Sequence, residues 1–130
     1  MKITSLDHLV VTVKDIETTV RFYVDVLGME DVRFGGGRRA LGFGRQRINL
    51  HQAGSEIEPN ALDASPGSAD LCFLVEDQIE DVAAEIEAAG VPIELGPVDR
   101  EGAAGPMRSV YLRDPDGNLV ELAAPAVQGA

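Results

Sequence analysis

YLRDPDGNLVEL, residues 111–122, is the stretch that decides how the chain is read. Two short apolar runs, Val110 to Leu112 and Leu119 to Leu122, flank a cluster running from Asp114 to Asn118. Within that cluster Pro115 fixes φ and Gly117 supplies the positive φ of a tight reversal, which predicts a β-hairpin. Side chains alternate along a strand, so Val120 and Leu122 point to one side while Leu119, Glu121 and Ala123 point to the other. A carboxylate in the middle of a strand stands either on a wet sheet surface or in a cavity as a metal ligand or general base. The residues that the rest of the chain sets beside Glu121 decide which.

The chain has 130 residues, 45% apolar and 25% charged, enough for one hydrophobic core and a single domain. Its formal net charge of -11 repels a phosphate backbone, and no run of Lys or Arg forms a basic stripe, so nucleic acid is not an expected partner. No apolar run reaches the roughly 18 residues of a membrane span, and the opening MKITSLDHLV has no signal-peptide core, so a cytoplasmic protein is expected. Cys72 is alone and has no disulfide partner within the chain, and in LCFLV it reads as a small buried hydrophobe.

Leu6 to Val13 reads as a strand, Asp15 as an N-cap, and Ile16, Val20, Tyr23 and Leu27 as one helix face closed by Gly28. Met29 to Phe34, Arg38 to Phe43 and Gln46 to His51 follow as a strand meander, and Gly54 to Ser68 as a linking loop. Then the pattern restarts. Ala69 to Val75 is a strand, and Asp77 opens a helix with Ile79, Val82 and Ile86 on its apolar face before Gly90. Pro92 to Leu95, Ser109 to Arg113 and Asn118 to Ala123 are further strands, with residues 99–106 a mobile Gly-rich loop. A shift of 62 positions superposes His8 on Asp70, Val13 on Val75, Asp15 on Asp77 and Gly28 on Gly90; at the closing strands, Ile48-Asn49-Leu50 against Val120-Glu121-Leu122, the shift is 72. The expected architecture is therefore α+β: two βαβββ modules, about residues 4–53 and 68–124, forming a curved mixed sheet around a cleft with helices on the outer face.

The period of two places Leu9, Val11, Val13, Ile48, Leu50, Leu71, Phe73, Val75, Val110, Leu112, Val120 and Leu122 under the helices. The opposite face collects His8, Arg47, Asn49, His51, Asp70, Cys72, Ser109, Tyr111, Arg113 and Glu121, a mixture that lines pockets more than it covers outer surfaces. If approximate twofold symmetry relates the copies, position 8 faces position 70 and position 49 faces position 121. Imidazole nitrogen with carboxylate oxygen suits first-row divalent metals, and His8 with Glu121 supplies one of each. Asp70 offers a third ligand through oxygen, His51 a second nitrogen. Asn49 is neutral and a poor transition-metal ligand, so it joins Tyr111, Ser109, Arg113 and Arg47 as a group to contact substrate. Arg113 begins the turn, where Asp114 or Asp116 could pair with it.

Together the duplicated unit, the run LDHLVVTVKDIETTVRFYVDVLGM and the ending RDPDGNLVEL resemble the vicinal oxygen chelate superfamily, which holds glyoxalases, extradiol dioxygenases, and fosfomycin- and bleomycin-resistance proteins. GRRALGFGRQRINLH, PGSADLCFLVED and GPMRSVYLRDPDGNLVEL look more closely like the group around glyoxalase-domain-containing protein 5. The resemblance implies a divalent ion (Fe, Mn, Ni or Zn), a small-molecule substrate with adjacent oxygens, a homodimer, and a glyoxalase-like lyase or extradiol-type dioxygenase, with a metal-free binding protein of the bleomycin-resistance type as the alternative. The family's first-strand His falls on His8 and its last-strand Glu on Glu121, which could also move a proton. Its fifth-strand ligand falls on Asp70, and the glyoxalase Glu of the fourth strand on Asn49. Two ligand sets are left: His8, Asp70 and Glu121, or His8, His51 and Glu121.

Overall fold

The computed structural model describes residues 1–126. They form two compact units, residues 1–68 and residues from 69 onward. Each is a βαβββ module with one four-stranded mixed sheet.

In the first module β1 (His8–Val13) runs parallel to β4 (Gln46–Gln52), and β3 (Arg38–Phe43) and β2 (Glu30–Phe34) continue the sheet antiparallel in the order β1-β4-β3-β2. The crossover from β1 is α1 (Ile16–Arg21), capped by Asp15, whose Oδ2 accepts from the Thr18 amide at 2.9 Å. The spacing predicted one α-helix as far as Leu27. Instead the chain widens into a π-helical turn over Phe22–Val26, which buries Tyr23 to 2% exposure, and Gly28 at φ +74° ends it. Val13, Ile48 and Leu50 are buried, as predicted for the helix side. On that side Arg39 is buried too, its guanidinium donating to Asp31 Oδ1 and Oδ2 at 3.1 and 3.2 Å and to Glu17 on α1. A buried cation is tolerable when carboxylates close around it in this way.

In the second module β5 (Asp70–Leu74) runs parallel to β8 (Leu119–Pro125), followed by β7 (Gly105–Arg113) and β6 (Leu95–Gly102) in the order β5-β8-β7-β6. α2 (Ile79–Ala88) packs on β6, β7 and β8 through Ile79, Val82, Ala83 and Ile86. Gln78 rather than Asp77 is its N-cap, and makes no side-chain cap bond; Glu80 and Asp81 in the first turn meet the positive helix end instead. The duplication is visible in the register. His8 pairs with Arg47 in one module and Asp70 with Leu119 in the other, the same offsets of 62 and 72 that the sequence shows.

Two expectations fail in the second module. Residues 92–94 are not strand, and residues 99–106 are not a mobile loop but the end of a hairpin in which Arg100 pairs with Met107 and Gly102 with Gly105. Low β-propensity and two prolines hid it. β6 is the edge strand, where a proline costs no ladder bond. Gly102 is there for close packing, since a Cβ on it would meet Met107 Sδ at 2.5 Å. A Cβ on Gly96, at φ +110°, would meet the Ser109 carbonyl oxygen at 2.5 Å, so the irregularity between Leu95 and Val98 requires glycine.

The Asp114–Asn118 turn does more than reverse the chain. Asp114 Oδ1 accepts from the amides of Asp116 and Asn118 at 2.9 Å each, and its Oδ2 accepts from Asn118 Nδ2 at 2.7 Å. Asn118 Oδ1 then accepts from the Ala69 amide at 2.8 Å, and the Leu119 amide donates to the Ala69 carbonyl at 3.1 Å. A fully buried side chain thus locks the entrance of β5 to the entrance of β8. Asn118→Ala leaves a buried carboxylate oxygen and a backbone amide without these bonds and is expected to cost about 3 kcal/mol. Urea unfolding checks it against Asn60→Ala on the exposed linker; equal midpoints for the two variants would contradict this role.

Candidate functional site

Each module presents polar residues on the sheet face away from its helix. In the first, β1 sets His8 at its start. The His8 Nδ1 lies 2.8 Å from Asp7 Oδ2. A carboxylate only accepts, so Nδ1 carries the proton, and in the neutral ring Nε2 keeps its lone pair. That hydrogen bond is the main cause holding the Asp7 carboxyl below its usual range, with the His8 charge second. This is the orientation that a carboxylate gives a metal-binding imidazole.

Arg47, opposite His8, lies with its guanidinium carbon 4.1 Å from the Phe34 ring centre, and Arg38 covers the same ring at 4.9 Å. Asn49 and His51 are 3% and 5% exposed, and Asn49 Oδ1 and both His51 ring nitrogens have no hydrogen-bond partner among the described residues. Buried polar atoms of this kind call for a partner, whether an ordered water, an ion or a ligand. His51 is opposite Thr12, however, four residues along β1 from His8. At roughly 3.3 Å per residue the two histidines leave the sheet about 13 Å apart, too far for one ion to take both from the same module.

In the second module Tyr111 and Cys72 flank Glu121 on the neighbouring strands, and Ser109 stands two pairs further along β7, on the same face. The Ser109 hydroxyl, fully buried, donates to Glu121 Oε2 at 2.7 Å and so fixes the carboxylate. Asp70 starts β5 on the same face and is exposed. Cys72, Tyr111 and Glu121 line a cavity of about 580 Å³ with Leu74, Arg100 and Met107, walled by the tip of the β6–β7 hairpin. Arg113 is not in its lining. It forks onto Glu94 with two bonds of 3.0 Å and donates to the Gly117 carbonyl at 3.2 Å.

Cys72 is exposed, not the buried hydrophobe that LCFLV predicts, because its strand presents alternate residues to the cavity. Sequence reading also missed Arg100, whose Nε donates to the Tyr111 hydroxyl at 3.0 Å. The register of the β6–β7 pairing carries it onto this face, and no local pattern in DREGAAGP announces that.

Among the described residues no three His, Cys, Asp or Glu side chains are gathered as a metal cluster. The donors themselves suit a divalent ion: an imidazole Nε2 freed by a carboxylate on Nδ1, and a carboxylate steadied through one oxygen.

Two βαβββ modules, each with a four-stranded mixed sheet, are the fold of the vicinal-oxygen-chelate class. The chain belongs to the Glyoxalase/Bleomycin resistance protein/Dioxygenase superfamily, whose family model matches residues 5–122. It is 56% identical over 122 residues to virulence protein STM3117 of Salmonella typhimurium, covering 94% of this chain and 85% of that protein. The crystal structure of that protein matches with a TM-score of 0.95 and 54% identity over 97% of this chain and 100% of the other. Glyoxalase domain-containing protein RDO1 of Mycosarcoma maydis is 52% identical over 124 residues, 95% of this chain and 70% of that one. Metallothiol transferase FosB of Staphylococcus epidermidis is 28% identical over 123 residues, 94% and 82% of the two chains. The fold alone is shared with a fosfomycin resistance protein, FosX, of Listeria monocytogenes complexed with Mn(II) and sulfate, at 20% identity and a TM-score of 0.67 over 97% of this chain and 94% of that one. Among the described residues no helix is long and apolar enough to cross a membrane.

The Cys72 thiol is pushed up to about 11, by burial of the sulfur first, then by the charge of Glu121 and the hydrogen bond to it, then by Asp70. It is therefore the neutral thiol at pH 7.5, and alkylation by iodoacetamide is expected to be slow there and to accelerate towards pH 11. Glu121→Gln removes the negative charge and should move that profile to lower pH. An unmoved profile would show that the thiol and the carboxylate are not neighbours.

Proposed function

We propose that this protein is a metal-dependent vicinal oxygen chelate enzyme acting on a small molecule with two adjacent oxygens. The observation that carries the reading is Glu121, a strand-borne carboxylate in a cavity wall with one oxygen held by a buried hydroxyl. His8 and Glu121 are the principal ligands in this reading, with Asp70 as the third. A homodimer is part of this reading. A bound divalent ion would supply Lewis acidity to the adjacent oxygens of the substrate.

The chain's own residues do the rest. Asp7 holds the His8 ring in the tautomer that offers Nε2, and Ser109 keeps Glu121 from swinging away from the cavity. Ser109 donates to Oε2 and the Cys72 thiol bonds the same carboxylate, so Glu121 is held in the cavity wall as the group to take or return a proton. Cys72 beside it stays neutral and adds no competing charge. Asn49 and His51, with their open polar atoms, are available to substrate from the first module.

Metal analysis tests this. The wild-type protein is expected to retain a divalent ion that the His8→Ala, Glu121→Ala double variant loses, whereas His51→Ala keeps it. Equal metal content in wild type and double variant would sink the proposal. A second reading, a metal-free binding protein that sequesters its ligand, draws on the apolar part of the cavity wall, Leu74 and Met107, and on Asn49 and Asp70 where stronger ligands are usual. Catechol affinity undiminished by a chelator would favour it.

A further inference from the structure

We infer that Arg100 anchors the substrate through a carboxylate, so that the molecule bound in the second-module cavity is a small organic acid with an apolar stem. The inference rests on the reading above for the far end of that molecule, where adjacent oxygens meet the Glu121 side, and on its own observations for the acid end.

The first observation is placement. Arg100 pairs across the ladder with Met107, and Tyr111 with Glu121, so all four side chains share one sheet face and line one cavity. The second is orientation. The Arg100 Nε donates to the Tyr111 hydroxyl at 3.0 Å, its guanidinium carbon lies 5.4 Å from the Tyr111 ring centre, and Nη1 donates to the Asp99 carbonyl at 3.0 Å. Three contacts to neutral groups hold a long side chain that would otherwise be free in solvent. The third is what those contacts leave over. Arg100 makes no ion pair with a carboxylate among the described residues, unlike Arg39, Arg108 and Arg113, each of which has one. Nη2 has no hydrogen-bond partner among the described residues, and Nη1 keeps a second proton.

A planar guanidinium oriented on one side and unspent on the other matches a carboxylate, which it can take through two parallel bonds. The Tyr111 hydroxyl accepts from Arg100, so its own proton is available to the same anion. Leu74, Met107 and the prolines at 106 and 125 supply the apolar wall, and about 580 Å³ fits a small molecule. Glu101 and Glu121 also line the space and oppose a polyanion, which limits the ligand to one free acid group at the Arg100 end.

The test is an NMR titration of metal-stripped protein, in EDTA, with benzoate and hexanoate, and with benzamide as the uncharged control. Both acids are expected to shift the amide signals of Arg100, Met107 and Tyr111, and Arg100→Gln is expected to weaken them at least tenfold while leaving benzamide unchanged. Tyr111→Phe should weaken the acids by a smaller factor. Equal acid affinity in wild type and Arg100→Gln, acids that shift no signals in this cavity, or failure of both acids to bind at tens of millimolar would each overturn the anchor. Because metal is absent throughout, the result is independent of the metal analysis. Acid binding that depends on Arg100, in a protein whose wild type and double variant hold equal metal, would keep the anchor and remove the chelate enzyme.

Discussion

The second module depends on one buried hydrogen-bond relay, from Asp114 through Asn118 to the Ala69 backbone. Parallel strands have no short turn to set their register, so β5 and β8 could slip along one another unless something outside the ladder fixed them. The relay does this at the strand entrances, and every pair beyond follows. Cys72 is opposite Glu121 because Asp70 is opposite Leu119. A slip of one residue would turn the carboxylate into the helix-facing core and bring Val120 or Leu122 into the cavity. The turn motif is thus what gives Glu121 its address.

The first module reaches the same register by partly different means. At the start of β4, Gln46, 72 positions before Asn118, donates its Nε2 to the Leu6 carbonyl at 3.2 Å, ahead of β1. Gln52 works from the other end of the strand. Its side chain donates to the Lys14 carbonyl and accepts from the Ile16 amide at 3.2 Å, while the Ala53 amide donates to the Val13 carbonyl at 2.9 Å. Side chains thus fasten the first module's paired strands at both ends and the second module's at their entrances, and the offsets agree.

Much of this was legible in the residues. Period-two alternation found the helix side of both sheets because apolar residues recur there at every second position: Val13, Ile48, Val110 and Val120 are each 2% exposed or less, while Leu9, Val11, Leu71, Phe73 and Val75 on β1, β5 and just after β5 are half-buried. The duplication was legible because helix stops and strand starts recur at fixed distance. What escaped detection depends on cross-strand partners. The π-helical turn at Phe22 has a helical pattern, and only the hydrogen bonds distinguish it. DREGAAGP looks like a loop until Met107 fills the space over Gly102. Arg113 read as a substrate-contacting group on the cavity face, with a turn aspartate as the alternative partner, yet Glu94, 19 residues earlier, holds it. Glu121 and His8 were identifiable because an acid and an imidazole are conspicuous in apolar strands. Arg100 lies in a charged, glycine-rich stretch and had nothing to make it conspicuous.

His8 and Asp70 occupy the outermost strands of their sheets, β1 and β5, and both are solvent exposed, while Asn118 and Asp114 are interior. The proposed ligand positions 8 and 70 are therefore separate from the buried relay that sets the register. An exchange at position 70, imidazole for acid or the reverse, disturbs no packed neighbour and costs the scaffold little. Lineages built on this frame can change what they hold at the rim, one residue at a time, without passing through a form that fails to fold.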